Sequence, residues 1–178
     1  MKLLACPKCH QQLHLENKTL KCENNHCYDI SKRGYINLLL NPDKATNNPG
    51  DSKESLVARK AYLNKGYYDP ILDQVITCID EFKHQDDLSI LDLGCGEGYY
   101  THGLKKHFQT SDIYGLDISK IAIDMATRYR KDVTWLVGNS KNIPILDHSL
   151  DFICALFTVV NQDELKRALK EDGYIVHV

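Results

Sequence analysis

The sequence predicts an α/β protein in which a small cysteine-rich β module precedes a doubly wound parallel sheet. Three observations carry that prediction. Cys6, Cys9, Cys22 and Cys27 crowd the first 27 of 178 residues. From residue 88 onward, short apolar runs alternate with amphipathic stretches, the pattern of a parallel sheet with helices on both faces. Between the first run and the first stretch lies LDLGCGEGYYTHGL, which places Gly94, Gly96 and Gly98 within five positions. Glycine in a strand-to-helix turn permits a sharp bend or the close approach of a ligand.

Composition narrows the class. Apolar residues make up 43 % of the chain, enough for a packed core. No run of about 18 apolar residues occurs, so a membrane-spanning helix is not expected. The opening MKLLACPKCH reaches charge and cysteine too early for a secretion signal, and a cytoplasmic protein with no membrane partner is the expectation. Residues 1–60 hold 10 Lys and Arg against 6 Asp and Glu, whereas residues 61–178 hold 12 against 18. A basic appendage on an acidic body is compatible with nucleic-acid contact through the small part.

The first forty residues read as a zinc module. CPKC sets two thiols two residues apart, so that one tight turn aims both at one metal. CENNHC then offers Cys22, His26 and Cys27, and LHLENKTLKC between the two reads as a hairpin that brings the pairs face to face. Zinc takes four such ligands in a tetrahedron, and a closed set of four is structural rather than catalytic. Cys6, Cys9 and Cys22 supply three; zinc chemistry accepts either His26 or Cys27 as the fourth. Without a secretion signal, clustered cysteines point to metal rather than disulfides.

NPDKATNNPGDSKES, residues 41–55, has the composition of a linker. It divides a zinc-binding module (1–40) from a larger domain (56–178). Ser52 or Ser55 is a candidate cap for a helix through LVARKAYLNKG, ending at Gly66. YDPILDQVITCIDEF carries Ile71, Leu72, Val75, Ile76, Ile79 and Phe82 at helical spacing behind Asp69 and Pro70. LSILDLG, DIYGLDIS, VTWLVGN, SLDFICALF and GYIVHV read as five strands, and YYTHGLKKHF, KIAIDMATRYR and QDELKRALK as the helices among them. Ligands of such sheets bind beyond the carboxyl ends of the strands.

The glycine turn has the pattern G-x-G-x-G rather than the G-x-G-x-x-G of dinucleotide sites, and Glu97 sits where a pyrophosphate would lie. A cofactor with a ribose and a cationic tail suits it better. Asp117, at the end of the second strand, has the placement of an acid that accepts hydrogen bonds from ribose hydroxyls. The combination resembles a class I S-adenosylmethionine-dependent methyltransferase with its Rossmann-like domain; Asp92 matches the acid opening the first motif, and GNSKNIP the loop near the adenine. CPKC, CENNHCYDISKRGYINLL, NPGDSKESLVARKAYLNKGYYDP and LDLGCGEGYYTH together are similar to the bacterial 23S ribosomal RNA (guanine-N1)-methyltransferases, over essentially the whole chain.

That resemblance implies methyl transfer from S-adenosylmethionine to N1 of a guanine in 23S rRNA. It implies His26, not Cys27, as the fourth ligand of a structural Zn2+ beside Cys6, Cys9 and Cys22. It also implies cofactor contacts by Tyr68, Asp92, Gly94, Cys95, Gly96, Gly98, Tyr100, Thr101, Asp117 and Ile118. Tyr67 and Tyr99 are candidates to hold an unstacked guanine, while no residue stands out as the catalytic base. Two departures accompany the match. FTVVNQDEL lacks the Pro-Cys-type sequence of the family, and the chain stops at GYIVHV where family members continue. A fragment, a truncated product or a member with lost activity is therefore expected, its sheet incomplete at the C-terminus and ending at an open edge that favours self-association, such as a homodimer. Two other readings stand beside this one: a small-molecule methyltransferase, and a non-catalytic RNA-binding remnant.

Overall fold

The computed structural model describes residues 1–40 and 50–178; most of the expected linker, residues 41–49, lies outside the described residues. The N-terminal module is a three-stranded antiparallel sheet of β1 (His14–Glu16), β2 (Thr19–Lys21) and β3 (Cys27–Asp29). The expected hairpin is there: Asn17, at φ 59°, makes the turn that pairs Glu16 with Thr19. Asn tolerates this left-handed conformation because its short polar side chain bonds locally.

The body is a six-stranded sheet, in which every pair of neighbouring strands is parallel. Its strands are β4 (Ile36–Asn37), β5 (Ser89–Leu93), β6 (Asp112–Asp117), β7 (Thr134–Val137), β8 (Leu150–Ala155) and β9 (Leu169–His177), in the order β4-β7-β6-β5-β8-β9. The helices are α1 (Lys53–Leu63), α2 (Asp69–Phe82), α3 (Tyr99–His107), α4 (Lys120–Ala126) and α5 (Gln162–Ala168). Side-chain oxygens of Ser52, Ser119 and Asn161 cap α1, α4 and α5 by accepting N–H groups of the first turn.

The sheet has two covered faces because strand residues alternate. Ile90, Ile113, Trp135 and Phe152 pack under α2, α3 and α4, against Val75, Ile79, Leu104 and Ile123. Leu91, Leu93, Tyr114, Leu116 and Ile153 face the other way. There they meet Leu165 of α5 and also Leu4, Cys6, Leu13 and Leu20 of the N-terminal module.

Two features differ from the sequence reading. Five strands are expected, but β4, from the module side of the linker, pairs with β7 through Ile36↔Leu136 and Asn37↔Val137. The module is also tied to the body near residue 144: the Ala5 N–H donates to the Pro144 carbonyl at 3.0 Å, and the Leu146 N–H to the Leu3 carbonyl at 2.9 Å. The last strand, expected from Gly173, starts at Leu169 directly after α5, with a register shift between Leu150 and Phe152. Among the described residues no strand pairs with the outer edge of β9, where Tyr174 and Ile175 are exposed.

Candidate functional site

Two sites emerge, and the first is in the module. The ligand atoms of Cys6, Cys9, Cys22 and His26 all lie within 4.8 Å of one another. His26 Nδ1 is 3.4 Å from Cys6 Sγ, 3.5 Å from Cys9 Sγ and 3.4 Å from Cys22 Sγ, and the Cys9 and Cys22 sulfurs are 3.7 Å apart. A zinc tetrahedron with Zn–S of about 2.3 Å and Zn–N of about 2.0 Å has edges of about 3.8 Å and 3.5 Å. The four donors therefore already stand at the corners that zinc requires. Cys27 does not join them: it is exposed, and its thiol donates to the Asn25 carbonyl at 3.4 Å. The Gln11 backbone N–H holds the Cys9 thiol down to about 6, toward the thiolate that a metal binds. Tyr28 adds an outer contact, its hydroxyl 3.3 Å from Cys6 Sγ.

The second site lies at the carboxyl ends of β5, β6 and β8. Gly94, Gly96 and Gly98 have φ of 74°, 56° and 90°, the left-handed region that side-chain-bearing residues avoid. Gly94 is needed for a second reason: a Cβ there would stand 2.4 Å from Thr158 Oγ1. At Gly96 a Cβ would meet nothing within 4 Å, so this position faces open space. Asp117 holds the turn from the neighbouring strand. Its Oδ2 accepts the Gly96 N–H at 2.8 Å and its Oδ1 the Ser119 N–H at 2.7 Å. Asp92 is fully buried behind the turn and accepts the Thr101 hydroxyl.

A cavity of about 230 Å³ opens at this turn. Gly94, Cys95, Gly96 and Glu97 form its base, and Tyr68, Tyr100 and Phe157 part of its aromatic wall. The Tyr68 and Phe157 rings meet edge-on with centroids 6.1 Å apart. The Tyr100 hydroxyl is buried with no hydrogen-bond partner among the described residues, an arrangement that a ligand resolves. Burial drives the acids of this site toward their neutral forms. Asp92 is pushed up to about 7, with Asp117 and Glu97 adding repulsion. Asp117 and Glu97 are raised too, chiefly by burial. A cationic ligand relieves that strain.

The resemblance-derived residues fall into groups. Tyr68, Gly94, Cys95, Gly96 and Tyr100 line the cavity. Asp92, Thr101 and Asp117 stand behind the turn and brace it. Gly98 starts α3 and is packed under Trp135. Ile118 is half-buried against the helix-covered core, away from the cavity wall. Tyr67 and Tyr99 do not line the cavity either; Tyr99 instead donates to Asp69. The sequence reading missed Arg59 and Phe157, which do line it. Phe157 carries a signal that could have found it, since it closes SLDFICALF, the fourth of the five expected strands, at the end where ligands of such sheets sit. Its φ of 57° is a strained value for a bulky residue, of the kind that clusters at functional sites.

Comparison with known proteins adds to this picture. Residues 90–173 match the family model for a methyltransferase domain, and residues 4–45 the zinc-ribbon model described as RlmA, N-terminal. A solved putative S-adenosylmethionine-dependent methyltransferase from Methanococcus maripaludis superposes with a TM-score of 0.60 at 23 % identity, over 74 % of this chain and 67 % of that one. Fold and site thus define a class I, S-adenosylmethionine-dependent methyltransferase domain behind a structural zinc ribbon. The chain is 31 % identical over 99 % of its length to a putative 23S rRNA (guanine-N1)-methyltransferase, YxjB of Bacillus subtilis, covering 64 % of that relative. It is 28 % identical over its full length to the 23S rRNA (guanine(748)-N1)-methyltransferase of Streptomyces fradiae, covering 63 %. The chain is thus similar over its whole length to these 23S rRNA (guanine-N1)-methyltransferases, and it spans just under two thirds of the length of these curated relatives. No helix among the described residues is long and apolar enough to cross a membrane.

Proposed function

We propose that this chain, in the cytoplasm, directs methyl transfer from S-adenosylmethionine to N1 of a guanine in 23S rRNA. The observation that carries the reading is full-length likeness to such enzymes, ribbon and body together. A small-molecule methyltransferase is less well supported. The demethylmenaquinone methyltransferase of Thermotoga maritima matches only 46 % of this chain, and that reading gives the ribbon no task.

Bound S-adenosylmethionine supplies an electrophilic methyl on a sulfonium. The chain's own residues align and shield. Asp117 uses one lone pair on each oxygen to hold the turn, which leaves one on each for the two ribose hydroxyls. Gly94 and Gly96 let the ligand approach the backbone, Cys95, Gly98, Thr101 and Ile118 shape the turn and its flanks, and Asp92 with Glu97 favours a cationic tail. Tyr68, Tyr100 and Phe157 form an aromatic mouth that excludes water and stacks an unstacked base. In-line displacement makes such alignment the main catalytic task. Cys6, Cys9, Cys22 and His26 hold zinc, which fastens the ribbon and takes no part in the chemistry. The decisive experiment incubates the zinc-loaded chain with labelled cofactor and unmodified 23S rRNA and maps the product. Label at a guanine N1 supports the reading; label on small molecules alone, or none despite cofactor binding, refutes it for this chain.

A further inference from the structure

A second cavity, of about 420 Å³, opens over the outer face of α3. It meets the cofactor cavity only at Glu97, which lines both. Tyr99, His102 and Lys106, three and four residues apart, present one helix face to it. Lys60 of α1 and the Tyr129–Arg130 pair after α4 stand at its sides. Among the described residues three cations surround the space, and Glu97 is the single carboxylate on its wall. Arg130 is paired with Asp132 at 3.1 Å, whereas Lys106 has no ion pair among the described residues.

Tyr129 is 63 % exposed. Lys60 Nζ lies 3.8 Å from its ring centroid, and the His102 ring meets it edge-on at 5.9 Å. The loop that carries it is fixed, because Trp135 Nε1 donates to the Arg130 carbonyl at 2.9 Å. The basic track continues toward the ribbon side, where Lys131 Nζ donates to the Arg33 carbonyl at 3.1 Å. The volume falls in the range of roughly 300–1,000 Å³ typical of sites for small organic ligands, more than a lone phosphate fills. A held aromatic ring among cations is how proteins grip unpaired nucleotides: the ring stacks the base and the cations meet the phosphate.

We propose that this groove holds one unpaired nucleotide of the RNA substrate, flanking the target guanine, with its base on Tyr129 and its phosphate at Lys106 and Arg130. The proposal rests on the RNA reading above, and its test separates the two. Lys106→Ala and Tyr129→Ala are compared with the parent, all zinc-loaded, for binding of an unmodified 23S rRNA transcript by anisotropy at two salt concentrations. S-adenosylhomocysteine affinity by calorimetry serves as the folding control. Lys106→Ala is expected to weaken RNA binding about three- to tenfold at low salt and to lower the salt slope by about one. Tyr129→Ala is expected to weaken it about tenfold with the slope unchanged. Both should keep the parent's S-adenosylhomocysteine affinity; if Tyr129→Ala does not, Tyr129→Leu, which keeps bulk without the ring, takes its place. Parent-like RNA binding by both variants overturns the groove and leaves the enzyme reading intact. Loss in Lys106→Ala alone makes this a phosphate contact and overturns the nucleotide assignment. A parent that binds S-adenosylhomocysteine but not the transcript overturns the RNA reading itself, and the groove with it.

Discussion

Asp117 is where the geometry allows the most quantitative test. A carboxylate offers about four lone-pair sites, and two of them are occupied by the Gly96 and Ser119 N–H groups. Replacing Asp117 with Asn leaves one carbonyl oxygen with two sites. One keeps a backbone N–H, and the new amide NH2 then faces the other N–H, donor against donor. At least one ribose hydroxyl loses a charged acceptor, a bond worth roughly 1.5–3 kcal/mol, so affinity for S-adenosylhomocysteine should fall at least about tenfold. Asp117→Ala removes every acceptor. It should weaken binding further and also cost stability, because two N–H groups in a largely buried turn lose their partner at roughly 1–3 kcal/mol each. Relief of the buried charge offsets part of that cost, since burial raises the Asp117 pKa. At about 2–4 °C of Tm per kcal/mol for a chain of this size, Asp117→Ala should melt several degrees below Asp117→Asn. Calorimetry with S-adenosylhomocysteine and thermal melts read both quantities. Parent-like affinity in Asp117→Asn would falsify the assignment of the ribose to this carboxylate.

Gly96→Ala should lower stability by only about 1 kcal/mol, the cost of a left-handed φ without a clash, yet abolish measurable cofactor binding by filling the open space at the turn; Gly94→Ala, driven into Thr158, should lose several kcal/mol, and equal melting of the two variants would contradict this. Cys22→Ser should lose zinc while Cys27→Ala keeps one equivalent by elemental analysis; zinc lost from Cys27→Ala and retained in His26→Ala would reverse the choice of fourth ligand. Asp92, raised to about 7 by burial, contributes stability that is present below the unfolded carboxyl pKa near 4 and lost as pH rises through 7; the melting difference between Asp92→Asn and the parent should therefore shift in favour of Asn from pH 5.5 to pH 8, and a pH-independent difference would count against it.

Much of the fold is legible in the sequence for simple reasons. The strands β5 to β8 are mostly apolar runs, as buried parallel strands must be, and the helices between them carry apolar stripes. The zinc ligands are legible because metal geometry fixes their spacing. At the fourth position the residues alone accept His26 or Cys27, and the folded loop turns the Cys27 sulfur away. The cavity wall is less legible. Arg59 reads as one more charge on a solvated helix, and Phe157 as one more apolar residue at the end of a strand. Only the folded chain brings Arg59 of α1 and Phe157, just past β8, to the wall of one cavity.

The strand at the end of the module is the one that the sequence hides. INLLL is too short and too uniformly apolar to show a strand period, and the polar stretch after it reads as a boundary. Yet Ile36 and Leu38 share one core with Leu4, Cys6, Leu20, Leu93 and Leu116, and β4 extends the same sheet that carries Asp117. Two-residue pairing alone is worth little; the buried side chains beneath it decide the matter. The ribbon is consequently part of the wall that supports β6 and β7, not a tethered appendage. A sequence-level linker implies that chelation unfolds residues 1–40 and spares the body. The shared core implies more: removing zinc should lower the melting temperature of the whole chain, and weaken S-adenosylhomocysteine binding, by exposing Leu91, Leu93 and Leu116. Melting the protein with and without chelator, followed by near-ultraviolet circular dichroism of the buried Trp135 and Tyr114, distinguishes the two. An unchanged body transition after zinc loss would mean that the ribbon merely leans on the sheet.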